Sequence, residues 1–347
     1  MRLAIRHISR YQFDERATHA LQRLRLRPQS GPGQTVRAWQ VTIDGAEPTL
    51  SYADGLGNRI DLVRHDRGAK PEIVVVAAGV VETQDRAGIV GDPDGYAPPW
   101  LFERDTVLTK AGDVVRALAG ALPLEPHSLD ALHWLMTAVH ERIAYAPDGT
   151  DTPVDAETAL QSGEGTSRDH AHAFIAAARA LKIPARYVSG YVLADGAMQR
   201  VADAKQNAGG EREKALALQI GDGMQQVLGA SHAGQSQSQS QSQSQSQSQS
   251  QSQSQSQSQG PAHAQAALDA RPQPVALMQP PAGHAWAEAH VDGLGWVGFD
   301  PFMNRCPDER YVRIAVGLDC RDAQSVTGIG ATAVGVDISV AQSPELV

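Results

Sequence analysis

Hydrophobic and polar residues alternate along the first ninety residues of the chain. One face of this period-two pattern holds Leu3, Ile5, His7, Ser9 and Tyr11. The alternation continues at Leu24 and Leu26 and again at Trp39, Val41 and Ile43. A period of two is typical of strands with one buried and one solvated face. Asp44-Gly45, Asp54-Gly55 and Gly57-Asn58 have turn composition and separate these strands. The pattern predicts a small β-sandwich over residues 1–95.

The pattern changes to helical spacing after a connector, residues 96–127, that contains several prolines and a short predicted helix over 107–118. Ser128 has the composition of an N-cap, and the apolar residues behind it recur at helical spacing to Ile143. Asp155 is the predicted N-cap of a short helix that ends near Gln161. A further helix is predicted from Ser167 to the residues before Pro184, and a strand follows over 186–193.

Residues 195–282 differ in composition from the segments on either side. Their centre is a strict Gln-Ser repeat over 235–259, which has no apolar side chain to bury. Such a segment cannot offset the entropy of ordering, so we expect a disordered insertion in a surface loop. A Gln-rich interaction tract is the alternative. After the insertion, strands are predicted over 285–291 and 295–299 around an Asp292-Gly293 turn. We therefore assign 128–194 and 283–347 to a second, α+β domain.

Charge and composition exclude several classes of protein. The 347 residues carry a formal net charge of −9, which argues against a sequence-independent grip on nucleic-acid phosphates. Two cysteines, Cys306 and Cys320, are too few for a disulfide scaffold. The longest apolar run has nine residues, about half of what crosses a bilayer, and the N-terminus lacks the apolar region of a signal peptide. We expect a cytoplasmic protein without a membrane partner, and the spacing of histidines and glycines indicates neither a metal site nor a cofactor.

Three polar residues occupy positions suited to catalysis. Ser167 opens a helix after a glycine-rich loop, His284 begins a strand, and Asp300 ends the partner strand of the same hairpin. His284 and Asp300 lie eight positions on either side of Asp292, so we expect them roughly opposite each other. A carboxylate there would hold one imidazole nitrogen and leave the other to act as a base. Simpler interpretations remain: Ser167 as an N-cap, and His284 with Asp300 as a structural pair.

Four ordered segments resemble the bacterial transglutaminase-like family: 163–172, 183–191, 284–288 and 293–301. The N-terminal strands with Asp54 and Gly57-Asn58 are similar to the β region that precedes the catalytic core in that family. The resemblance implies a papain-like core, with a helix bundle packed on an antiparallel sheet, and a Cys-His-Asp site. It implies acyl transfer from an amide to an amine or to water. The implied partner is a peptide or protein with a glutaminyl or other amide group, and an amine is the implied co-substrate.

The chain departs from the family pattern at the nucleophile, because Ser167 stands in the place of the cysteine. By the same match, His284 is the base and Asp300 orients it. A thiol has a pKa near 8.5 and is readily converted to thiolate at a helix terminus, whereas a serine needs concerted proton removal. Other departures are His170 for an aromatic residue, Phe302 for a small hydroxyl residue, and Leu318 and Cys320 for arginine and tyrosine.

These departures leave three hypotheses open. The chain is a pseudoenzyme that binds an amide-bearing partner, which is the hypothesis we favour. Alternatively, it is an active serine variant that hydrolyses or transfers acyl groups through a Ser167-His284-Asp300 triad. The third hypothesis is a substituted position in an otherwise thiol-dependent enzyme. Neither Cys306 nor Cys320 lies at a helix start, so neither is expected to replace the missing thiol.

Overall fold

The computed structural model describes residues 1–43, 46–68, 72–92, 97–146, 153–194 and 283–343. The predicted turn at Asp44-Gly45 and the predicted insertion 195–282, with its Gln-Ser repeat, lie outside these residues.

The described residues contain helices and strands in the order expected for an α+β protein. The strands are β1 Arg2–Phe13, β2 His19–Leu24, β3 Gln34–Ile43, β4 Pro48–Ala53, β5 Arg59–Asp66, β6 Glu72–Thr83, β7 Ile89–Gly91, β8 Ala144–Tyr145, β9 Glu164–Gly165, β10 Ala185–Val192, β11 Gly283–Val291, β12 Gly295–Phe299, β13 Tyr311–Gly317, β14 Val326–Ile329 and β15 Ala331–Gln342. The helices are α1 Asp113–Gly120, α2 Leu129–Arg142, α3 Ala156–Ser162 and α4 Ser167–Ala180, with a 3-10 helix at Pro99–Glu103.

The N-terminal strands form two four-stranded sheets, in the orders β15-β1-β6-β3 and β14-β2-β5-β4. Tyr11 and Val75 from the first sheet and Leu24 and Val63 from the second are buried in one apolar cluster. The period-two faces of the sequence therefore meet across the interior, as in a β-sandwich.

The sandwich takes its edge strands from the C-terminal end of the chain. β15 pairs with β1 along almost its whole length, and β14 pairs with β2. The assignment of all of 283–347 to the second domain is corrected here, because residues 326–342 belong to the sandwich sheets. Conversely, the five-stranded sheet of the second part takes a strand from the N-terminal segment, because β7 pairs with β12.

The second part of the fold is a five-stranded antiparallel sheet with helices packed on one face. The strand order is β13-β10-β11-β12-β7, and α4 packs against β11 with α1, α2 and α3 around it. Every residue of α4 from Asp169 to Arg179 is buried, and alanine is the commonest residue among them. Small side chains let this central helix approach the sheet closely, which fixes the position of its N-terminus.

The helix ends follow local capping rules. The Ser128 side chain accepts a hydrogen bond from the Ala131 N–H at 3.1 Å, and Asp155 caps α3. Gly163 ends α3 with a φ of 70°, a conformation that suits glycine. The predicted helix at 107–118 instead begins at Asp113, because residues before it form a turn held by the Thr109 hydroxyl.

Side-chain amides from the sandwich cover the edge strand β13. Asn58 donates to the Val316 carbonyl and accepts from the Val316 N–H, both at 2.8 Å. Gln34 accepts from the Arg313 N–H at 2.8 Å. These contacts replace a neighbouring strand and join the two parts of the fold. No helix within the described residues is both long and apolar enough to cross a membrane.

Candidate active site

The structure brings His284 and Asp300 together. Nε2 of His284 lies 2.6 Å from Oδ2 of Asp300, and both side chains are buried. Because the carboxylate can only accept, Nε2 must carry the hydrogen, and the lone pair of a neutral imidazole is then on Nδ1. This is the tautomer that a base needs if its nucleophile approaches Nδ1.

Asp300 has a complete set of hydrogen-bond donors. Its Oδ1 accepts from the backbone N–H groups of Phe302 and Met303 at 3.0 and 3.1 Å, and its Oδ2 also accepts from the Tyr311 hydroxyl at 2.8 Å. Burial alone would raise the pKa of Asp300, but the attraction of His284 and these hydrogen bonds lower it overall below its usual value. The carboxylate therefore stays charged and holds the imidazole in place.

The strand register that brings His284 and Asp300 together differs from the predicted one. β11 and β12 are joined by three residues, Asp292 to Leu294, and the register pairs Ala287 with Phe299. Asp300 therefore lies level with Trp286 and diagonal to His284. The loop has the predicted length, and glycine at 295, with a φ of 73°, accommodates it. A carboxylate can still reach the imidazole across a diagonal of this length.

Tyr311 was not singled out from the sequence. It opens β13, eleven residues after Asp300, and its hydroxyl donates to the carboxylate. Burial and the charge of Asp300 raise the pKa of Tyr311 well above its usual value, so it remains a donor. Trp286 stacks on the His284 ring at 6.3 Å between centroids. A tyrosine at the start of a strand carries no local signal for this role.

Ser167 is the first residue of α4 and is partly exposed. The N-cap of the helix is Thr166: Oδ2 of Asp169 accepts from the Thr166 backbone N–H and from its hydroxyl, each at 2.8 Å. The capping role considered for Ser167 is therefore filled by Thr166. Gly165 is required here, because a Cβ atom would lie 2.8 Å from Cβ of Asp169.

Two of the departures from the family pattern contact each other. Phe302 is buried, and its ring lies 5.2 Å from that of His170, in the first turn of α4, and 5.7 Å from that of His284. His170 places Nδ1 2.7 Å from the Thr166 carbonyl and Nε2 2.9 Å from the Ile143 carbonyl. Phe302 thus lies between the start of the Ser167 helix and the His284–Asp300 pair.

The other two departures lie against α4. The Cys320 N–H donates to Nε2 of His172 at 3.2 Å, and the Leu318 carbonyl accepts from Arg179. Burial raises the pKa of the Cys320 thiol to about 12 and that of Cys306 to about 11. Neither thiol is prepared to act as a thiolate nucleophile near neutral pH.

The described parts of the chain hold no cluster of three or more His, Cys, Asp or Glu side chains able to bind a metal ion. Separately, the His284–Asp300 pair provides an imidazole oriented for proton transfer, and Phe302 contacts both this imidazole and His170 in the first turn of α4. The first N–H groups of a helix have no intrahelical partner and carry the positive end of the dipole, so they can stabilise a developing oxyanion.

Comparison with known families identifies the family of the chain. Residues 3–82 match the family model of the bacterial transglutaminase-like N-terminal region. Residues 116–301, more than half of the chain, match the model of the transglutaminase-like superfamily core. The chain belongs to the transglutaminase-like superfamily.

Two known proteins are similar to this chain, one in sequence and one in structure. An uncharacterized protein of Mycobacterium leprae (strain TN), ML0607, is 26% identical over 214 residues, which cover 55% of this chain and 71% of that protein. The crystal structure of a putative cysteine protease from Cytophaga hutchinsonii aligns with a TM-score of 0.61 and 17% identity, covering 100% of this chain and 92% of that one. At this identity the similarity concerns the fold, and it confirms the predicted α+β core.

Proposed function

We propose that this protein binds peptide or protein segments that carry a glutaminyl or other amide group, and that Ser167 leaves acyl transfer impaired. The proposal rests on one combination of features: Asp300 has its full set of hydrogen-bond donors and holds His284, while the residue at the start of α4 offers a hydroxyl. A retained base with a weak nucleophile is suited to recognition of an amide without efficient turnover.

The physical reason lies in the difference between oxygen and sulfur. The positive end of a helix and a neighbouring imidazolium can lower the pKa of a thiol enough to give a resting thiolate. The same shifts cannot produce an alkoxide, so serine depends on proton removal in the transition state. Because a C–O bond is shorter than a C–S bond, a site shaped for sulfur also misplaces the serine oxygen. A displacement of the attacking atom by up to about 1 Å can lower the rate by about 10²-fold.

Phe302 supports impairment independently. Its buried ring lies next to both His170 and His284, where the family pattern has a small hydroxyl residue. A phenyl ring there adds volume beside the base and removes a polar group from the neighbourhood of the reacting amide. We infer that substrate entry to Nδ1 of His284 is narrower than in thiol-dependent relatives.

The test uses a glutaminyl peptide and a fluorescent amine, with ammonia release measured in parallel. We expect no turnover by the native protein and measurable turnover by Ser167→Cys. The matched control is Ser162→Cys, which introduces a thiol at an exposed position at the end of α3 and should remain inactive. Binding is measured by anisotropy of the same peptide, against a copy in which glutamate replaces glutamine.

The alternative is an active serine variant that uses Ser167, His284 and Asp300 as a triad. It is favoured by the capping of α4, since Thr166 and Asp169 make the cap and Ser167 is not needed for it. Turnover by the native protein that disappears in Ser167→Ala would establish this alternative and reject impairment. Absence of peptide binding by the native protein would reject the binding role itself.

A further inference from the structure

A cavity of about 450 Å³ lies on the face of the five-stranded sheet opposite α4. On β11, Ala285, Ala287 and Ala289 face the helices, so Trp286 and Glu288 point to the other face. Loops of the sandwich, residues 29–34 and 56–58, line the outer side of the cavity. Two residues of its lining, Trp286 and Tyr311, also contact the His284–Asp300 pair, whereas its charged residues have no role in the site described above.

The cavity wall contains three buried or partly buried charged residues on adjacent strands. Glu288 is buried and accepts from Nε of Arg186 at 2.7 Å. Nε of Arg313 lies 3.0 Å from the other carboxylate oxygen of Glu288. The pKa of Glu288 would be raised by burial but is lowered overall by the two arginines, so the carboxylate is charged.

Two guanidinium groups share one carboxylate, so this cluster carries a net positive charge. Of the other charged residues of the wall, Asp308 pairs with Arg310. Asp92 is exposed at the mouth, 3.3 Å from Nε2 of His290, and attracts Arg186 from there, while Arg86 is exposed. An uncompensated charge in a buried position is costly. An anion that enters from outside would supply a counter-charge to the buried Arg186.

Arg186 presents unused donors to this space. Its Nε and Nη2 face Glu288, while its Nη1 makes no hydrogen bond with the described part of the chain. The guanidinium is 3.8 Å from the centroid of the Trp296 ring, and the side chain is only 6% exposed. Burial lowers the pKa of Arg186 to about 10, so it remains cationic near neutral pH.

We propose that this cavity binds a small monocarboxylate, with its carboxylate against Arg186 and Arg313 and an apolar body against Trp286 and Trp296. A single excess positive charge matches a monoanion better than a phosphate dianion, and the planar guanidinium matches a carboxylate. The volume suits a ligand of the size of an acylated amino acid. The proposal does not depend on Ser167 or on turnover.

The test is calorimetric titration of the full-length protein with N-acetylphenylalanine and, separately, with its neutral amide at the same ionic strength. We expect the acid to bind at least about tenfold more tightly than the amide. Arg313→Gln, at a partly exposed position, should weaken the acid by about tenfold or more and leave the amide unchanged. The matched control is Arg64→Gln, an exposed arginine on β5, and Ser167→Ala should also bind as the native protein does.

Several outcomes overturn the proposal. Equal binding of acid and amide, or no binding of the acid up to about 10 mM, rejects carboxylate recognition. Unchanged acid binding by Arg313→Gln, with native circular dichroism, places the ligand elsewhere. Competition by inorganic phosphate at lower concentration than the acid would assign the cavity to a phosphate instead. Loss of acid binding in Ser167→Ala would assign it to the active site.

Discussion

His172 offers a direct test of how burial of α4 governs stability. The imidazole is fully buried in the middle of that helix, and its Nε2 accepts a hydrogen bond from the Cys320 N–H at 3.2 Å. An acceptor nitrogen carries no proton, so the folded state requires the neutral ring. Burial lowers the pKa of His172 from 6.5 to about 4. Acid should therefore unfold the protein partly through this one residue.

The sign and size follow from linkage. In the unfolded chain His172 takes up a proton near pH 6.5, whereas in the folded chain it resists protonation down to about pH 4. The stabilising contribution is fully present above pH 6.5 and is lost as the pH falls toward 4. The full difference corresponds to about 3 kcal/mol, of which about 2 kcal/mol is lost between pH 7.5 and pH 5.

The assay is urea unfolding followed by far-ultraviolet circular dichroism at pH 7.5, 6.5, 5.5 and 5.0. The variant is His172→Gln, since a glutamine oxygen can accept from the Cys320 N–H without titrating. We expect the free energy of unfolding of the variant to fall about 2 kcal/mol less than that of the native protein over this range. The exposed His127→Gln is the control. An identical pH dependence in His172→Gln and the native protein would refute the reasoning.

Substitutions at three further positions test other contacts. Asp300→Asn should lower the free energy of unfolding in urea by about 3 kcal/mol, because an amide N–H₂ replaces an acceptor that faces two donors. In a Ser167→Cys background the same substitution should slow alkylation of the new thiol. An unchanged alkylation rate would contradict orientation of His284 by Asp300. Arg179→Met should lower the free energy of unfolding by about 3 kcal/mol, since it leaves buried carbonyl and hydroxyl acceptors without a donor. Arg179→Lys should not restore these hydrogen bonds. Full stability in the lysine variant would count against the need for a guanidinium. Asn58→Ala should lower the free energy of unfolding, measured by thermal unfolding, by about 1–3 kcal/mol, because both backbone groups of Val316 lose their hydrogen-bond partner. An unchanged stability would mean that water replaces the side-chain amide.

Local sequence signals predicted the elements of the core well. Ser128 and Asp155 start helices where capping chemistry places them, and Gly163 ends one. The reason is that caps and periodicity act over one or two turns and need no distant partner. The same signals were less reliable before α1. There the Thr109 hydroxyl accepts the hydrogen bond of the Thr106 N–H, and the helix begins at Asp113 and not at Val107.

The site was predicted in part. His284 and Asp300 were identified from their places in one hairpin, and the structure joins them by a hydrogen bond. Tyr311 was not found, because its contact with Asp300 depends on the return of β13 to the sheet. The contact of His170 with Phe302 likewise depends on how α4 lies across β11.

By itself, the sequence determined which segments are helices and strands, which faces they bury, and which residues are candidates for chemistry. Only the tertiary structure decided the partners: β15 pairs with β1 across more than three hundred residues, and Arg186, Glu288 and Arg313 converge from three strands. The physical reason is that periodicity reports that a face must be buried, but not against what. The identity of the covering surface depends on chain topology, which residues close together in sequence cannot encode.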